Sequence, residues 1–457
     1  METEPLKFRE KLGYGLGDTA SNFFFQVFNL FLMYYYTDIF GLAPAAVGAM
    51  FLVTKAIDAV SDPVMGLIAD RTTTRWGKYR PYLLWGAIPY GLCGYLMFAG
   101  PELSDTGKLV YAYATYTAMM LAYTVVNVPY SALMGVISPS SLERTKVASY
   151  RFICAFLAGW LIATFVGPLK NLLGGGDEAL GFRLTMIIFA VASIALFWVT
   201  FATTRERVVP RPRESDVRAD LRALLSNGPW LVLFMSAIVT LMNIAVRNGS
   251  LLYYFKYYVG DDGAAIFLIF DKTAVFLSLG LIAMIGGIVL TKWLVEHFEK
   301  RLLMILLTLA NAASMAAFFF IPPEQYWLMV LVNCLGSFAI GPTPALVWSM
   351  YADCADYGEW KSGRRITALV FSTVQFAQKM GLAVGSGVLG IVLGYFGFVA
   401  NQLQSETALM GIRLMFSILP AALAVAGAAF ILFYRIDADT IRQMEDDLAK
   451  LHEAEPA

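Results

Sequence analysis

Histidine is nearly missing from this chain, with two in 457 residues, His297 and His452. The four cysteines, Cys93, Cys154, Cys334 and Cys354, show no CxxC spacing. So few soft ligands offer neither a metal cluster nor a histidine proton relay, and no disulfide framework is expected. Charge is scarce as well. Asp, Glu, Lys and Arg make up 15% of the residues, against about a quarter in soluble domains. Positive and negative charges cancel to a net of zero, so no bulk attraction to nucleic acid follows. A glycine-rich phosphate loop and a large polar domain are both missing, which argues against a polytopic membrane enzyme or a sensor. The N-terminal METEPLKFREKLGYG lacks the basic, apolar, small-residue order of a cleaved leader.

What is there is apolar: 58% hydrophobic residues and a mean hydropathy of +0.63. A helix crosses a bilayer with about 20 mostly apolar residues. Twelve such stretches can be marked, at 13–38, 44–69, 82–100, 109–137, 147–170, 182–203, 229–255, 265–291, 303–321, 326–350, 366–396 and 408–434. The expected fold class is an all-α membrane protein of twelve transmembrane helices in two six-helix bundles. The N-terminal bundle takes 1–203, a central loop 204–228, the C-terminal bundle 229–434 and a tail 435–457. Lys and Arg crowd the loop 70–81 (Arg71, Arg75, Lys78, Arg80) and the central loop, while 39–43 and 322–325 have none. Basic residues favour the cytoplasmic face. Both termini are therefore expected inside, with the chain in the inner (plasma) membrane.

The halves show a weak repeat. GLIADRTTTRWGKYR (66–80) can be laid over GIVLTKWLVEHFEKR (287–301), matching Gly66 to Gly287, Arg71 to Lys292 and Arg80 to Arg301. Repeats of this kind are common in transporters. At the same offset Asp58 and Asp62 fall on Leu279 and Ala283, so the buried acids belong to the first half alone.

Those acids lie in KAIDAVSDPVMG, inside the second apolar stretch. Asp58 and Asp62 are four apart and share a helix face, and Lys55 is three before Asp58. Each charge at membrane depth costs about 2.5–3.5 kcal/mol on insertion scales. A buried ion pair that fixes packing is one reading. One lysine cannot neutralise two carboxylates, however, and the spare charge calls for a cation: Na⁺ on hard oxygen ligands, or H⁺. Pro63 is expected to weaken the helix beside them.

In the first stretch Asp18, Asn22, Gln26 and Asn29 form one polar stripe, either interhelical glue or the lining of a wet path for sugar hydroxyls. YYYTD (34–38) reads as an interfacial aromatic belt. The fourth stretch groups Thr124, Asn127 and Ser131 on one face, with Tyr123 and Tyr130 partly on it. Arg151 opens the fifth stretch, where it either snorkels or pairs with an acid of the second helix. Lys379 sits deep in the eleventh, and a clamp to Asp58 or Asp62 would give it a partner. Near the end of the tenth, Trp348 either stacks on a sugar ring or packs as core. Asp353, Asp356 and Glu359 follow, three apart. They form either a solvated helix end or a cytoplasmic gate with Lys55, Asp70, Arg71, Arg75 and Lys78 as the rest of a charge network.

KLGYGLGD, MYYYTDIFGL, DAVSDPVMGLIADRTTTRWGKYRPYLL, YTVVNVPYSAL, ADYGEW and QKMGLAVG together resemble the signature segments of the glycoside–pentoside–hexuronide:cation symporters, a branch of the major facilitator superfamily that includes the melibiose carrier. The likeness runs from residue 11 to about 395. It implies secondary active symport of a sugar or glycoside (pentoside, hexoside or hexuronide) with Na⁺ or H⁺, by alternating access, with no enzyme activity and no cofactor beyond the coupling ion. It also implies a cation site at Asp58, Asp62, Thr124 and Asn127. Cargo binding would fall to Asp18, Asn22, Gln26, Asn127, Tyr130, Arg151, Trp348 and Lys379. The expected partners are the sugar, a monovalent cation and the lipid bilayer, and the expected state is a monomer. Two positions depart from the melibiose carrier: Asn22 and Asn127 stand where it has aspartates. That alters the sugar pocket and brings H⁺ forward as coupling ion. The nearest rival is a same-fold carrier for a lysolipid, marked by a strongly apolar lateral pocket.

Overall fold

The structure, a computed structural model, describes residues 6–138, 141–207, 222–362, 367–437, 439–444 and 447. The chain folds as α1 (Phe8–Val27), α2 (Pro44–Arg71), α3 (Arg80–Trp85), α4 (Ala87–Leu96), α5 (Asp105–Val136), α6 (Ser141–Gly174) and α7 (Glu178–Thr203). After the central loop come α8 (Gly228–Tyr253), α9 (Lys272–His297), α10 (Lys300–Ala317), α11 (Tyr326–Ile340), α12 (Thr343–Ser362), α13 (Thr367–Tyr395), α14 (Glu406–Phe416) and α15 (Ile418–Ile431). Wider π-helical turns occupy Phe28–Leu32, Tyr35–Ile39 and Tyr254–Val259. No strand occurs among the described residues, only isolated bridges in two tight turns. Helices suit a bilayer because each backbone donor and acceptor is satisfied within its own segment.

Among the described residues, nine helical segments are long and apolar enough to cross a membrane, and they fall at the fourth to twelfth expected spans. The first three fall short for a physical reason. The polar stripe lowers the hydropathy of α1, and Lys55, Asp58 and Asp62 interrupt α2. The third span divides at Gly86 into α3 and α4. Sequence signals set several helix starts: Ser104, Asp177, Asn227 and Ser405 cap α5, α7, α8 and α14 with side-chain acceptors. Pro44, Pro81 and Pro229 sit in first turns, where no donor is lost. Pro63 does not break α2, which continues unbroken past it.

The chain forms two compact units. Unit 1 comprises residues up to Pro212 with Asp261–Ser278 and Leu393–Gln404; unit 2 comprises the remainder. In unit 1, α1 is the central post, packed on both α6 and α7. KLGYGLGD makes that possible. A Cβ at Gly13 would strike Thr203 of α7, at Gly15 Cys154 of α6, and at Gly17 Tyr130 of α5. Three bare positions thus let one helix approach three neighbours, and close approach is the main adhesive between helices in lipid. Hydroxyls add bonds to backbone carbonyls: Tyr14 and Tyr130 stack with centroids 4.6 Å apart, and each donates to the other's carbonyl.

The chain ends of unit 1 are tied by charge. The Glu143 carboxylate meets Lys11 and Lys146 at 2.8 Å each and receives the Leu6 amide. These donors hold its carboxyl down at about 2. Arg207 donates to Glu10 at 2.6 Å. The loop before α3 is gathered by Glu206, whose carboxylate accepts the amides of Lys78, Tyr79 and Arg80 at 2.9, 2.8 and 3.1 Å. Gly77 is left-handed at φ +107°, and a Cβ there would run into that carboxylate.

The expected aromatic belt at YYYTD is buried instead. Tyr35 and Tyr36 are 1% and 0% exposed, and Tyr35 packs on Phe98 and Phe182. The two π-turns explain this: each adds a residue to its turn and rotates the next part of the helix toward the bundle.

In unit 2, α8 packs on α15, and α10 on both α11 and α15. Arg247 of α8 lies between the Phe318 and Phe416 rings and donates to the Phe416 carbonyl at 2.8 Å. That carbonyl is freed where the last span breaks at Ser417. The repeat recurs in the contacts. Arg80 donates to the Phe201 carbonyl at the end of α7; Arg301 donates to the Leu432 carbonyl at the end of α15. Tyr130 donates to the backbone of Tyr14 in α1; Tyr351 does so to Leu233 in α8. The donors of both pairs keep the offset that lays Gly66 on Gly287, while the acceptor carbonyls do not.

Candidate functional site

Two polar clusters lie among the membrane helices of unit 1. The first joins α2 to α5. Asp58 is 1% exposed and Thr124 2%. The Thr124 hydroxyl lies 3.0 Å from an Asp58 oxygen and 2.9 Å from an Asp62 oxygen. Ser61 stands 3.4 Å from Thr124 and donates to the Asp58 carbonyl. Lys55 reaches Asp58 only at 3.9 Å and also points at the Met120 sulfur.

The proton count matters here. Thr124 has one hydroxyl hydrogen, so it serves one carboxylate at a time. The other contact is oxygen against oxygen. It becomes attractive only with a proton on one acid or a cation among the oxygens. The donor set is hard and oxygen-rich, as a small monovalent cation requires.

The second cluster joins α1, α6 and α5. Asp18 is 6% exposed, and one of its carboxylate oxygens lies 3.2 Å from the Arg151 Nε. The guanidinium also lies over the Tyr130 ring, 5.4 Å from its centre. Arg151 therefore pairs with the first helix, where the sequence suggested the second. Facing aromatic and apolar walls of α5 and α6, a carboxylate one stripe position before Asn22 is its nearest counter-charge.

The other expected residues are less closely joined. Asn22 and Asn29 donate to carbonyls one turn back in their own helix, so these two amides bond along α1 while Asp18 of the same stripe pairs across to α6. Gln26 stands beside Gly159 of α6. Asn127 lies on α5, one turn beyond Thr124, and makes no hydrogen bond to Asp58 or Asp62 among the described residues. Trp348 and Lys379 belong to α12 and α13 of unit 2, and Trp348 is edge-on to Tyr351. Asp353 accepts from Lys300 of its own unit at 2.8 Å. Arg75 lies on its neighbour Trp76, and Arg71 is exposed at the end of α2. Asp356 and Glu359 lie on α12. The Asp70 side chain lies outside the described residues. Sequence reasoning missed Ser61 and Glu206. Ser61 was visible inside KAIDAVSDPVMG as a hydroxyl between two acids. Glu206 was hidden because a lone acid among arginines reads as linker.

α2 and α5 also flank an apolar cavity of about 700 Å³, lined by Val53, Ile57, Val64, Ile68 and Leu121 with Ser61 and Thr124. Its walls are of the kind that would mark an amphiphile carrier, so relatives must decide the cargo class.

A family model described as "MFS/sugar transport protein" matches residues 13–438. The chain belongs to this family. It is 36% identical to the "Putative glycoside/cation symporter YagG" of Escherichia coli strain K12, over 97% of this chain and 95% of that one. It is 31% identical to the "Glucuronide carrier protein homolog" of the same strain, over 94% and 93%. Among solved structures it resembles that of a D-xylose–proton symporter, with a TM-score of 0.65, 14% identity, and 93% and 97% of the two chains covered; at that identity the likeness bears on fold alone. These relatives settle the class against the lysolipid rival. The protein is a multi-pass membrane transporter, not an enzyme, and performs cation-coupled symport of a sugar or glycoside.

Proposed function

We propose that Asp58, Asp62 and Thr124 bind the coupling cation, and that the cluster of Asp18, Arg151 and Tyr130, with Asn22 and Gln26 beside it on α1, binds the sugar. The observation that carries this reading is the single Thr124 hydroxyl between a buried carboxylate, Asp58, and a half-buried one, Asp62. A bound Na⁺ or H⁺ among these oxygens lowers the negative charge of the site, to which Lys55 adds its ammonium from 3.9 Å. The neutralised site costs far less to bury than the empty one, so loading with cation changes the relative stability of the carrier's states. Sugar that prefers the same state then binds more tightly in the presence of the ion, and the ion more tightly in the presence of sugar. The carrier sits in the inner membrane with both termini cytoplasmic, in keeping with the basic loop 70–81, and works as a monomer.

The test is uptake of labelled glycosides into membrane vesicles under an imposed Na⁺ gradient, a proton gradient, or neither. Concentrative uptake by the wild type that collapses to equilibration in Asp58→Asn and Asp62→Asn supports the site and names the ion. Equal accumulation in wild type and variants overturns it.

A further inference from the structure

Resting on the sugar site just proposed, we infer that Asp18 makes this carrier selective for uncharged glycosides over uronides, by neutralising Arg151 before cargo arrives. One relative bears the name of a glucuronide carrier, so the charge of the cargo is the open question within this family.

Arg151 presents three edges, and the protein uses them differently. The Nε edge is taken by Asp18 at 3.2 Å. One face lies against the Tyr130 ring. No other acceptor among the described residues reaches the two terminal amino groups, and a quarter of the side chain is accessible. The free end of the fork is thus held in place and turned toward a ligand.

Charge decides what ligand it takes. An unpaired guanidinium in a site of low polarity draws a carboxylate strongly, through paired charge-assisted bonds. Here the Asp18 carboxylate sits on the same guanidinium. An incoming uronate meets that negative charge close by and must shed its own hydration. A neutral sugar meets no such opposition. Two adjacent ring hydroxyls present a pair of acceptor oxygens to the parallel N–H groups at the end of the fork. Asp18 is also fixed from its own helix: Asn22 bonds its carbonyl, and Gly17 beside it lets α1 lie against Tyr130. Its placement on Arg151 is built into the packing of α1.

The experiment is direct binding of nitrophenyl β-xyloside and nitrophenyl β-glucuronide to the purified full-length protein in lipid nanodiscs, with Na⁺ or at low pH. The wild type is expected to favour the xyloside by about tenfold or more, the scale of one charge contact of roughly 1.4 kcal/mol. Asp18→Asn keeps the shape and removes the charge, and should move the ratio toward the glucuronide by about the same factor. Asp18→Ser is the second variant should the amide disturb folding. A wild type that binds glucuronide as tightly as xyloside overturns the inference without touching cation coupling. An unchanged ratio in both variants does the same. Binding of neither glycoside under any ion condition overturns the sugar site and this inference with it.

Discussion

The Thr124 hydroxyl is 2.9 Å from an Asp62 oxygen and 3.0 Å from an Asp58 oxygen, so one side chain of α5 bridges these two acids of α2. Removing it leaves the two carboxylates facing each other with one fewer dipole to separate them. Thr124→Val keeps the shape and deletes the oxygen. Hydrogen bonds to charged groups are worth about 1.5–3 kcal/mol, so half-maximal uptake should need at least about tenfold more coupling cation. Thr124→Ser should stay near the wild type. Cation titration of initial uptake rates measures this, and an unshifted curve in Thr124→Val removes the residue from the site.

Lys55 acts in the opposite direction. Its ammonium competes with any cation for Asp58, from 3.9 Å. Lys55→Met should therefore tighten cation binding and lower the concentration that drives half-maximal uptake, while slowing release and turnover. Looser binding in that variant would mean that Lys55 orients Asp58 rather than competing for it.

Much of this was legible in the sequence, and the misses have physical causes. Charges within an apolar run are costly enough that Asp58, Asp62 and Lys55 stand out as candidates, and the structure brings both acids to Thr124. The pairing of Arg151 was not legible, because it depends on how α1 is rotated against α6, and three alternate glycines set that rotation. YYYTD was misread because two π-turns shift the helical register, and a period of 3.6 carries no sign of them. The repeat was faint in letters, and in contacts it returns at the donor positions alone. What recurs is an arginine reaching a helix-end carbonyl, and that constrains one residue in fifteen.

Glu206 supplies a test of the loop before α3. Its carboxylate accepts three successive amides. Glu206→Ala should free the segment carrying Arg75 and Lys78, and limited trypsin treatment should cut it several-fold faster than the wild type. Glu206→Gln keeps an oxygen but loses charge and one acceptor, and should fall between. An unchanged cleavage rate in Glu206→Ala would show that the turn around Gly77 holds without the clamp.

The repeated arginines give a stability prediction. Arg80→Met and Arg301→Met each orphan a helix-end carbonyl, at Phe201 and Leu432. An unsatisfied acceptor costs about 1–3 kcal/mol, so both variants should lose thermal stability in detergent, by similar amounts. A loss in one alone would break the equivalence of the two contacts.

Asp271 gives the pH dependence. It precedes α9 and caps it, accepting the Ala274 amide at 2.7 Å, and one of its oxygens crowds Gly167 of α6. Burial pushes its carboxyl up to about 6; Asp261 adds to the rise, while the Ala274 amide and Lys170 oppose it. The packed arrangement therefore holds the proton more tightly than the unfolded chain, where an aspartate titrates near about 3.9. The stabilising effect of protonation is complete below that value and is lost as pH rises through about 6. Asp271→Asn keeps an acceptor for Ala274 and carries no charge at any pH. It should melt above the wild type at neutral pH, and the gap should close as pH falls toward about 4. A gap that stays constant across that range would mean that Asp271 keeps its ordinary titration in the folded chain.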